Sequence, residues 1–258
     1  PYLFALGMGS EQARFTRLLK AGGWTIEPIP FLFRVARAGR FLSELPALRN
    51  SSLKRLLARA AILSGAGKIG ISALQAKSMR ASFRLRGVTI ERITEWGPWA
   101  DALWDDFRRS CSFCVKRDRR TLAELYRMEK DRTQAFLIRR GTKPIGWVTA
   151  LNSKMSNHKH FGDLQVATIL DCVAYSDARE AAIVLATRAL AADGAELIVT
   201  NQSYRPWIDA FRSAGFLSAG SNYVLATSKA LTQAIAGQPG GRERMHFTRG
   251  DSDGRIHL

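Results

Sequence analysis

Residues 166–216, VATILDCVAYSDAREAAIVLATRALAADGAELIVTNQSYRPWIDAFRSAGF, decide the fold of this chain. Two short runs rich in Ile, Val and Leu each precede a longer stretch with apolar residues at helical spacing, which predicts strand, helix, strand, helix. Gly194 and Gly215 end the two predicted helices, each where a left-handed C-terminal cap is wanted. Two strands joined by a crossover helix are expected to pair in parallel.

Polar side chains stand at the ends of both predicted strands. Asp171 to Asp177 accompany the end of the first strand, and Asn201 to Tyr204 follow the second. Because ligands of such sheets bind beyond the carboxyl ends of the strands, we expect a binding site at these two segments.

The residues on either side complete a mixed sheet. FLIRRGTKPIGWVTAL, residues 136–151, predicts a hairpin around Gly141 to Pro144, and NYVLATSK supplies a last strand. From Phe83 onward the predicted order is β-α-α-β-β-β-α-β-α-β-β. This order is typical of an α/β fold with helices on the faces of a mixed sheet.

The N-terminal region repeats part of this pattern. LKAGGW at 19–24 corresponds to FRSAGF at 211–216, an offset of 192 residues (211 − 19), and each is followed by paired strand-like segments. We interpret this as a weak internal repeat of which only the C-terminal part of the first copy is present. Ser10 is the expected N-cap of the first helix.

Residues 40–82 differ in character from the rest. SSLKRLLARAAILSG, residues 51–65, predicts a basic amphipathic helix that packs on a neighbouring domain or binds a membrane surface. Gly65, Gly67 and Gly70 form a G-x-G-x-x-G pattern, which binds phosphate only where it follows a strand. Because the preceding segment looks helical, we expect a flexible linker at these glycines.

Composition limits the class of protein. The chain has 258 residues and a formal net charge of +17, without an apolar run of the ~20 residues that span a membrane. Cys111, Cys114 and Cys172 form no even disulfide framework, which favours a cytoplasmic, reducing compartment. The charge attracts anions generally, yet aromatic and basic residues do not interleave as in RNA-binding modules, so we expect no specific nucleic-acid partner.

This order of elements resembles the GNAT superfamily of acyl-CoA-dependent N-acyltransferases. The resemblance rests on the hairpin at 136–151 and on Asn201 followed by a helix that ends in FRSAGF. ALWDDFRRS, VKRDRRTLAELYR and HFTRGDSDG further resemble bacterial tandem GNAT-like proteins of polysaccharide and cell-envelope contexts. It implies a mixed, largely antiparallel GNAT-type sheet with a central splayed parallel strand pair, flanked by helices.

The same resemblance divides the chain into four parts. Residues 1–39 are expected to be the end of a truncated first copy, and residues 40–82 a basic helical linker. Residues 83–232 are expected to form a complete GNAT-like domain, followed by a tail at 233–258. Self-association through the truncated copy is a further hypothesis.

The resemblance also implies a cofactor and site residues. Acetyl-CoA or another acyl-CoA is held where the two parallel strands splay apart, with backbone N–H groups near Val173 and Ala174 facing the thioester. Asp171 corresponds to the general base, or else to a carboxylate bonded to a neighbouring strand. Asn201 corresponds to a pantetheine contact, or else caps the following turn.

Two departures from the family pattern concern the phosphates and the proton donor. The segment YSDAREAAI has no glycine where the family has its pyrophosphate loop; Asp177 and Glu180 add negative charge, which Arg179 offsets in part. Phe211 stands where many relatives have the Tyr that protonates the thiolate. Tyr204 is a substitute acid, or an ordinary structural Tyr.

Three functions therefore remain open at this stage. The first is an N-acyltransferase acting on an amine acceptor, a small molecule or an amino sugar of a glycan. The second is a non-catalytic GNAT-like module that acts as scaffold or acceptor-binding half. The third is a basic protein that binds nucleic acid or anionic membranes.

Three smaller patterns have alternative interpretations. His158 and His160 line the acceptor side or belong to a solvated loop. Asp251 and Asp253 form a turn or an anionic cluster, since a calcium loop would need further ligands. Cys111 and Cys114, which have no second C-x-x-C pair to complete a zinc site, are interpreted as small apolar residues.

Overall fold

A computed structural model describes residues 1–7, 9, 11–44, 64–78, 85–127, 133–221 and 223–252. The strands are β1 Phe4–Leu6, β2 Thr25–Pro28, β3 Phe31–Val35, β4 Val88–Ile93, β5 Phe113–Cys114, β6 Gln134–Arg140, β7 Lys143–Lys154, β8 Gln165–Ala174, β9 Leu197–Asn201, β10 Leu217–Ala219, β11 Val224–Thr227 and β12 Met245–His246. The helices are α1 Arg14–Ala21, α2 Ala38–Glu44, α3 Ala66–Ser78, α4 Trp99–Arg108, α5 Arg119–Leu125, α6 Arg179–Ala192, α7 Arg205–Ser213 and α8 Lys229–Ala236, with 3₁₀ turns at Gly241–Arg244 and Arg249–Asp251.

Seven strands form the main sheet in the order β10-β3-β9-β8-β7-β6-β4. Five of its six neighbouring pairs are antiparallel, and β8 and β9 are the parallel pair. The predicted α/β class, with a largely antiparallel sheet around one central parallel pair, is therefore confirmed. In the part of the chain that the structure describes, no helix is both long and apolar enough to cross a membrane.

The parallel pair separates after a short stretch. β8 and β9 are in register only from Val166 opposite Leu197 to Thr168 opposite Val199. The register between β7 and β8 shifts near this point, because Thr149 lies opposite Asp171 while Ala150 lies opposite Ile169. This bulge gives β8 one extra residue, and bulges of this kind bend the strand that carries them.

The N-terminal and C-terminal segments exchange strands. β3 lies between β9 and β10 in the main sheet. β11 is not part of that sheet and lies between β1 and β2. The order strand, helix, strand, strand thus occurs twice, and each unit contributes its last strand to the sheet of the other. The division into domains at residue 39 stays a prediction, but the segments on both sides of it share both sheets.

Two helices end at the glycines that the sequence predicts. Gly194 and Gly215 have φ values of 91° and 87°, the left-handed conformation expected of C-terminal caps.

The flexible linker predicted at Gly67 and Gly70 is wrong, because both glycines lie inside α3. A tertiary contact supports this helix, since buried Gln75 accepts a hydrogen bond from the Val35 backbone (2.8 Å). The prediction that Ser10 caps the first helix is wrong, because α1 begins at Arg14 and its N-cap residue is Ala13. The helix predicted over most of residues 51–65 and Asp253 lie outside the described residues.

Candidate functional site

Asp171 lies on β8 directly after the bulge, and its side chain is fully buried. Its Oδ2 accepts hydrogen bonds from Arg117 Nε (2.8 Å) and from the Tyr126 hydroxyl (3.0 Å). Its Oδ1 accepts a third from the backbone N–H of Cys172 (2.9 Å). Both oxygens of the predicted base are therefore engaged, and its role in catalysis stays a prediction.

Arg117 connects Asp171 to residues 247–251, which form the C-terminal segment. The guanidinium is fully buried, and its Nη2 lies 2.6 Å from Asp251 Oδ1. Burial by itself lowers the pKa of Arg117, but the two carboxylates more than offset this and raise it above its ordinary value. Burial also raises the pKa of Asp171 to about 6, which Arg117 opposes and Asp251 reinforces. One cation thus holds two carboxylates from distant parts of the chain.

Asp171, Arg117, Tyr126 and Asp251 form the Asp171 cluster, and local structure holds the last three in place. Asp118 caps α5 by accepting from the Thr121 N–H (2.9 Å), which places Arg117 directly before the helix and Tyr126 at its C-terminal end. Asp251 closes a capping box with Thr248, whose N–H donates to Asp251 Oδ2 (2.8 Å). The sequence analysis missed Arg117 and Tyr126. An acidic residue in the middle of an apolar strand signals that a buried partner is needed, but it does not say which residue provides it.

The C-terminal segment lies across the opening between β8 and β9. Phe247 O accepts from the Ser203 N–H (3.0 Å), and the Phe247 N–H donates to Ser203 Oγ (2.7 Å). Thr248 then forms an isolated antiparallel bridge with Gln202, directly after β9. Gly250 reaches β8, where an added Cβ would lie 3.3 Å from Leu170 O. Residues 247–251 therefore contact both strands where they diverge.

This segment also binds the other residue predicted in the opening. Asn201 Oδ1 accepts from Arg249 Nη1 (2.9 Å), while its Nδ2 donates to Ile29 O and to Ser221 Oγ (both 3.4 Å). The C-terminal segment thus contacts both Asn201 and the Asp171 group, the first through Arg249 and the second through Asp251 and Arg117. The resemblance predicts a pantetheine contact at Asn201, and the C-terminal segment contacts this side chain through Arg249.

The start of α6 does not form a phosphate cradle. Asp177 pairs with Arg140 (2.8 Å), which lowers the pKa of the Asp177 carboxyl, and Glu180 lies in the first turn of the helix. Arg179 lies over the rings of Tyr204 (5.6 Å) and Trp207 (5.9 Å), and its buried Nε has no hydrogen-bond partner within the described part of the chain. A helix N-terminus attracts phosphate by its dipole, and carboxylates at the same place oppose that attraction.

The remaining predicted residues are packed into the core. Val173 and Ala174 are buried and lie opposite Trp147 and Gly146 of β7. Tyr204 is 4% exposed and donates to Ser110 O at the long distance of 3.4 Å. Phe211 is fully buried in the same core.

His246 directly precedes the C-terminal segment and lies beside this packed region. Its ring centroid is 4.8 Å from that of Phe107 and 5.9 Å from that of Tyr204. Neither ring nitrogen has a hydrogen-bond partner among the described residues. Burial, with a smaller effect from Arg117 and Arg179, lowers the pKa of His246 well below its ordinary value. The imidazole is therefore neutral at pH 7.

Solved structures similar to this chain include two GCN5-related N-acetyltransferases. The one from Anabaena variabilis is 11% identical with a TM-score of 0.45, and the match covers 86% of this chain and 45% of that one. The one from Kribbella flavida is 16% identical with a TM-score of 0.45, covering 88% and 68%. An aminoglycoside acetyltransferase from an uncultured soil metagenomic sample, solved in complex with trehalose, is 16% identical with a TM-score of 0.31, covering 43% and 74%.

These structures are what the chain is similar to in fold, at identities of 16% or less and TM-scores below 0.5, and the resemblance to the GNAT superfamily is taken no further from them. No protein-family model matches the sequence, and neither does any curated protein. The chain spans less than half the length of the Anabaena structure. At these identities no substrate or activity is carried over from the similar structures.

Proposed function

We propose that this chain is a non-catalytic GNAT-like module, in which the acetyltransferase-like fold is kept and the C-terminal segment takes the place of the cofactor. Its role is that of a scaffold or an acceptor-binding half. The observation that carries this proposal is the buried Arg117, which joins Asp171 of β8 to Asp251 of the C-terminal segment. The ion pairs bind the segment to the residue that catalysis would need free.

The energy of this cluster supports the proposal. Arg117 and Asp251 are 0% and 1% exposed, and removing one partner of such a buried pair typically costs about 3–5 kcal/mol. Because water reaches the charges once the segment leaves, the upper value is the largest cost of opening, and it corresponds to an open population of about 1 in 5,000. A cofactor that needs the opening would lose affinity by the same factor, because it binds only the minor form.

Four buried atoms on three residues favour a second candidate, an acyltransferase whose C-terminal segment leaves the opening. Arg179 Nε, Gln202 Oε1 and the nitrogens of His246 have no partners among the described residues, although buried polar groups are usually hydrogen-bonded. A polar ligand near Tyr204 would supply partners to these groups. This candidate retains Asp171 as base and Tyr204 as acid.

Calorimetric titration of acetyl-CoA separates the two candidates. If the chain is a non-catalytic module, we expect no binding of acetyl-CoA to the unmodified chain at millimolar concentration. We also expect no thiol release in the presence of an amino sugar. Binding together with thiol release would overturn it. Asp251→Asn tests the second candidate, because this change weakens the hold of Arg117 on the segment at constant size; binding that appears only in this variant supports a displaceable segment. Arg205, paired with Asp209 on the surface, gives a matched control in Asp209→Asn.

A further inference from the structure

A cavity of about 530 Å³ lies between the start of β3 and the loop that joins β7 to β8, and Arg249, which contacts Asn201, forms part of its lining. Its volume is in the range of small-molecule sites. Its lining is cationic and aromatic, formed mainly by Phe31, His158, Lys159, His160, Phe161 and Arg249. None of the described residues that line it is acidic.

Arg249 is the central charge of this cavity. Its Nη1 donates to Asn201 Oδ1 (2.9 Å), and its guanidinium lies 5.6 Å from the centre of the Tyr223 ring. Its Nε is buried without a hydrogen-bond partner among the described residues, and no described carboxylate forms an ion pair with it. Arg117, by contrast, has two carboxylates. A partly buried guanidinium stays protonated and is costly to leave without a counter-ion, so this position favours an anion.

The loop opposite Arg249 is built as a defined wall. His158 and Gly162 exchange backbone hydrogen bonds (3.0 and 2.9 Å), and Asn157 has a φ of 48°, which allows the tight turn. His158 Nδ1 accepts from the N–H groups of His160 and Phe161, and the rings of His158 and Phe161 stack at 5.0 Å. Lys159 is thereby held at the cavity with its side chain exposed.

We infer that this cavity binds an organic anion of sugar size, whose carboxylate or phosphate group pairs with Arg249 and Lys159. Arg249 presents the planar donor set that matches such oxygens, and Lys159 adds a second charge. Phe31 and Phe161 cover the apolar face of the ligand. The site shares Arg249 with the segment that crosses the opening between β8 and β9, so it requires that segment in its observed place, and it does not require acyl-CoA.

Calorimetry with the whole chain tests this inference with three hexoses of similar size. D-glucuronate and D-glucose 6-phosphate provide the carboxylate and the phosphate, and D-glucose is the neutral control. We expect at least one anion to bind about tenfold or more tightly than glucose, a difference of one strong charged contact. The tighter anion identifies which group the cavity takes. Equal affinities for all three sugars, or no binding of either anion at 10 mM (roughly −3 kcal/mol), would overturn the proposal.

Matched variants locate the binding. Lys159→Met removes an exposed charge at the cavity and is expected to weaken the anion about fivefold to tenfold, whereas Lys229→Met removes an exposed charge outside the lining and is expected to change nothing. Arg249→Lys keeps the charge but loses the planar donor set, so we expect a larger loss than for Lys159→Met. Equal affinities of the Lys159 and Lys229 variants would place binding elsewhere and contradict the proposal.

Discussion

The Arg117 guanidinium lies 2.6 Å from the Asp251 carboxylate, a buried ion pair between residues 134 positions apart. It joins the segment before α5 to the C-terminal 3₁₀ turn. Asp251→Ala removes one of the two carboxylates that neutralise Arg117. We expect the free energy of unfolding to fall by about 3–5 kcal/mol, measured by urea denaturation.

A surface pair gives the control for this change. Asp209 pairs with Arg205 at 3.0 Å, but both side chains are more than half exposed. Asp209→Ala is expected to cost less than about 1 kcal/mol. If Asp251→Ala costs no more than the control, the C-terminal segment is not bound through Arg117 as described.

Local elements near Asp171 could be predicted from the sequence, but its partners could not. The alternation of apolar runs and helical spacing gave β8, α6, β9 and α7 in the right order, because each depends on neighbours within about a dozen residues. Arg117, Tyr126 and Asp251 come from three separate segments. Nothing in a basic residue before a helix, or in an acid near the C-terminus, indicates that they meet Asp171.

The exchange of β3 and β11 shows the same limit. Both strands were expected, and both have apolar side chains that fit the interior of a sheet. Since the two repeats have similar patterns, either strand satisfies either place locally. The choice is made by pairing between distant residues, such as Phe4 with Thr227 and Phe31 with Asn201, which the pattern of one strand does not encode.

His246 makes stability depend on pH in a defined direction. Its pKa is well below the ordinary 6.5 in the folded chain, so below pH 6.5 the unfolded chain binds a proton that the folded chain does not. Stability is therefore complete above pH 6.5 and is lost as the pH falls. His246→Phe removes this loss, and we expect the stability of the variant relative to the unmodified chain to increase from pH 7.5 to pH 5, by at most about 2 kcal/mol.

Urea denaturation at the two pH values measures the change. Tyr204→Phe alters the same aromatic group, whose ring centroids lie 5.9 Å apart, without removing a histidine. It is expected to shift stability equally at both pH values. A His246→Phe difference that does not change with pH would mean that the imidazole is not buried in its neutral form.

Gly250 allows the C-terminal segment to approach β8. A Cβ at this position would lie 2.1 Å from the Tyr126 hydroxyl, which itself donates to Asp171. Gly250→Ala is expected to displace Tyr126 or the segment and to cost about 1–3 kcal/mol in thermal or urea unfolding. Gly220→Ala, where an added Cβ meets nothing within 4 Å, is the control and is expected to have little effect. Equal effects of the two changes would contradict the close packing of residues 247–251 on β8.

The exchange of strands predicts that the N-terminal segment is required for the rest of the chain to fold. A protein lacking residues 1–39 loses β3 from between β9 and β10, and it loses both neighbours of β11. We expect it to show no cooperative unfolding transition by circular dichroism, because the sheet would be interrupted beside its central parallel pair.

Leu32→Ala tests the same point in the whole chain: Leu32 is fully buried, and its truncation is expected to cost about 2–5 kcal/mol. Leu18→Ala, at a side chain 67% exposed on α1, should cost less than about 0.5 kcal/mol. A cooperative transition at the original temperature without residues 1–39 would instead make residues 83–232 an independent domain, and β3 an addition to a sheet that does not need it.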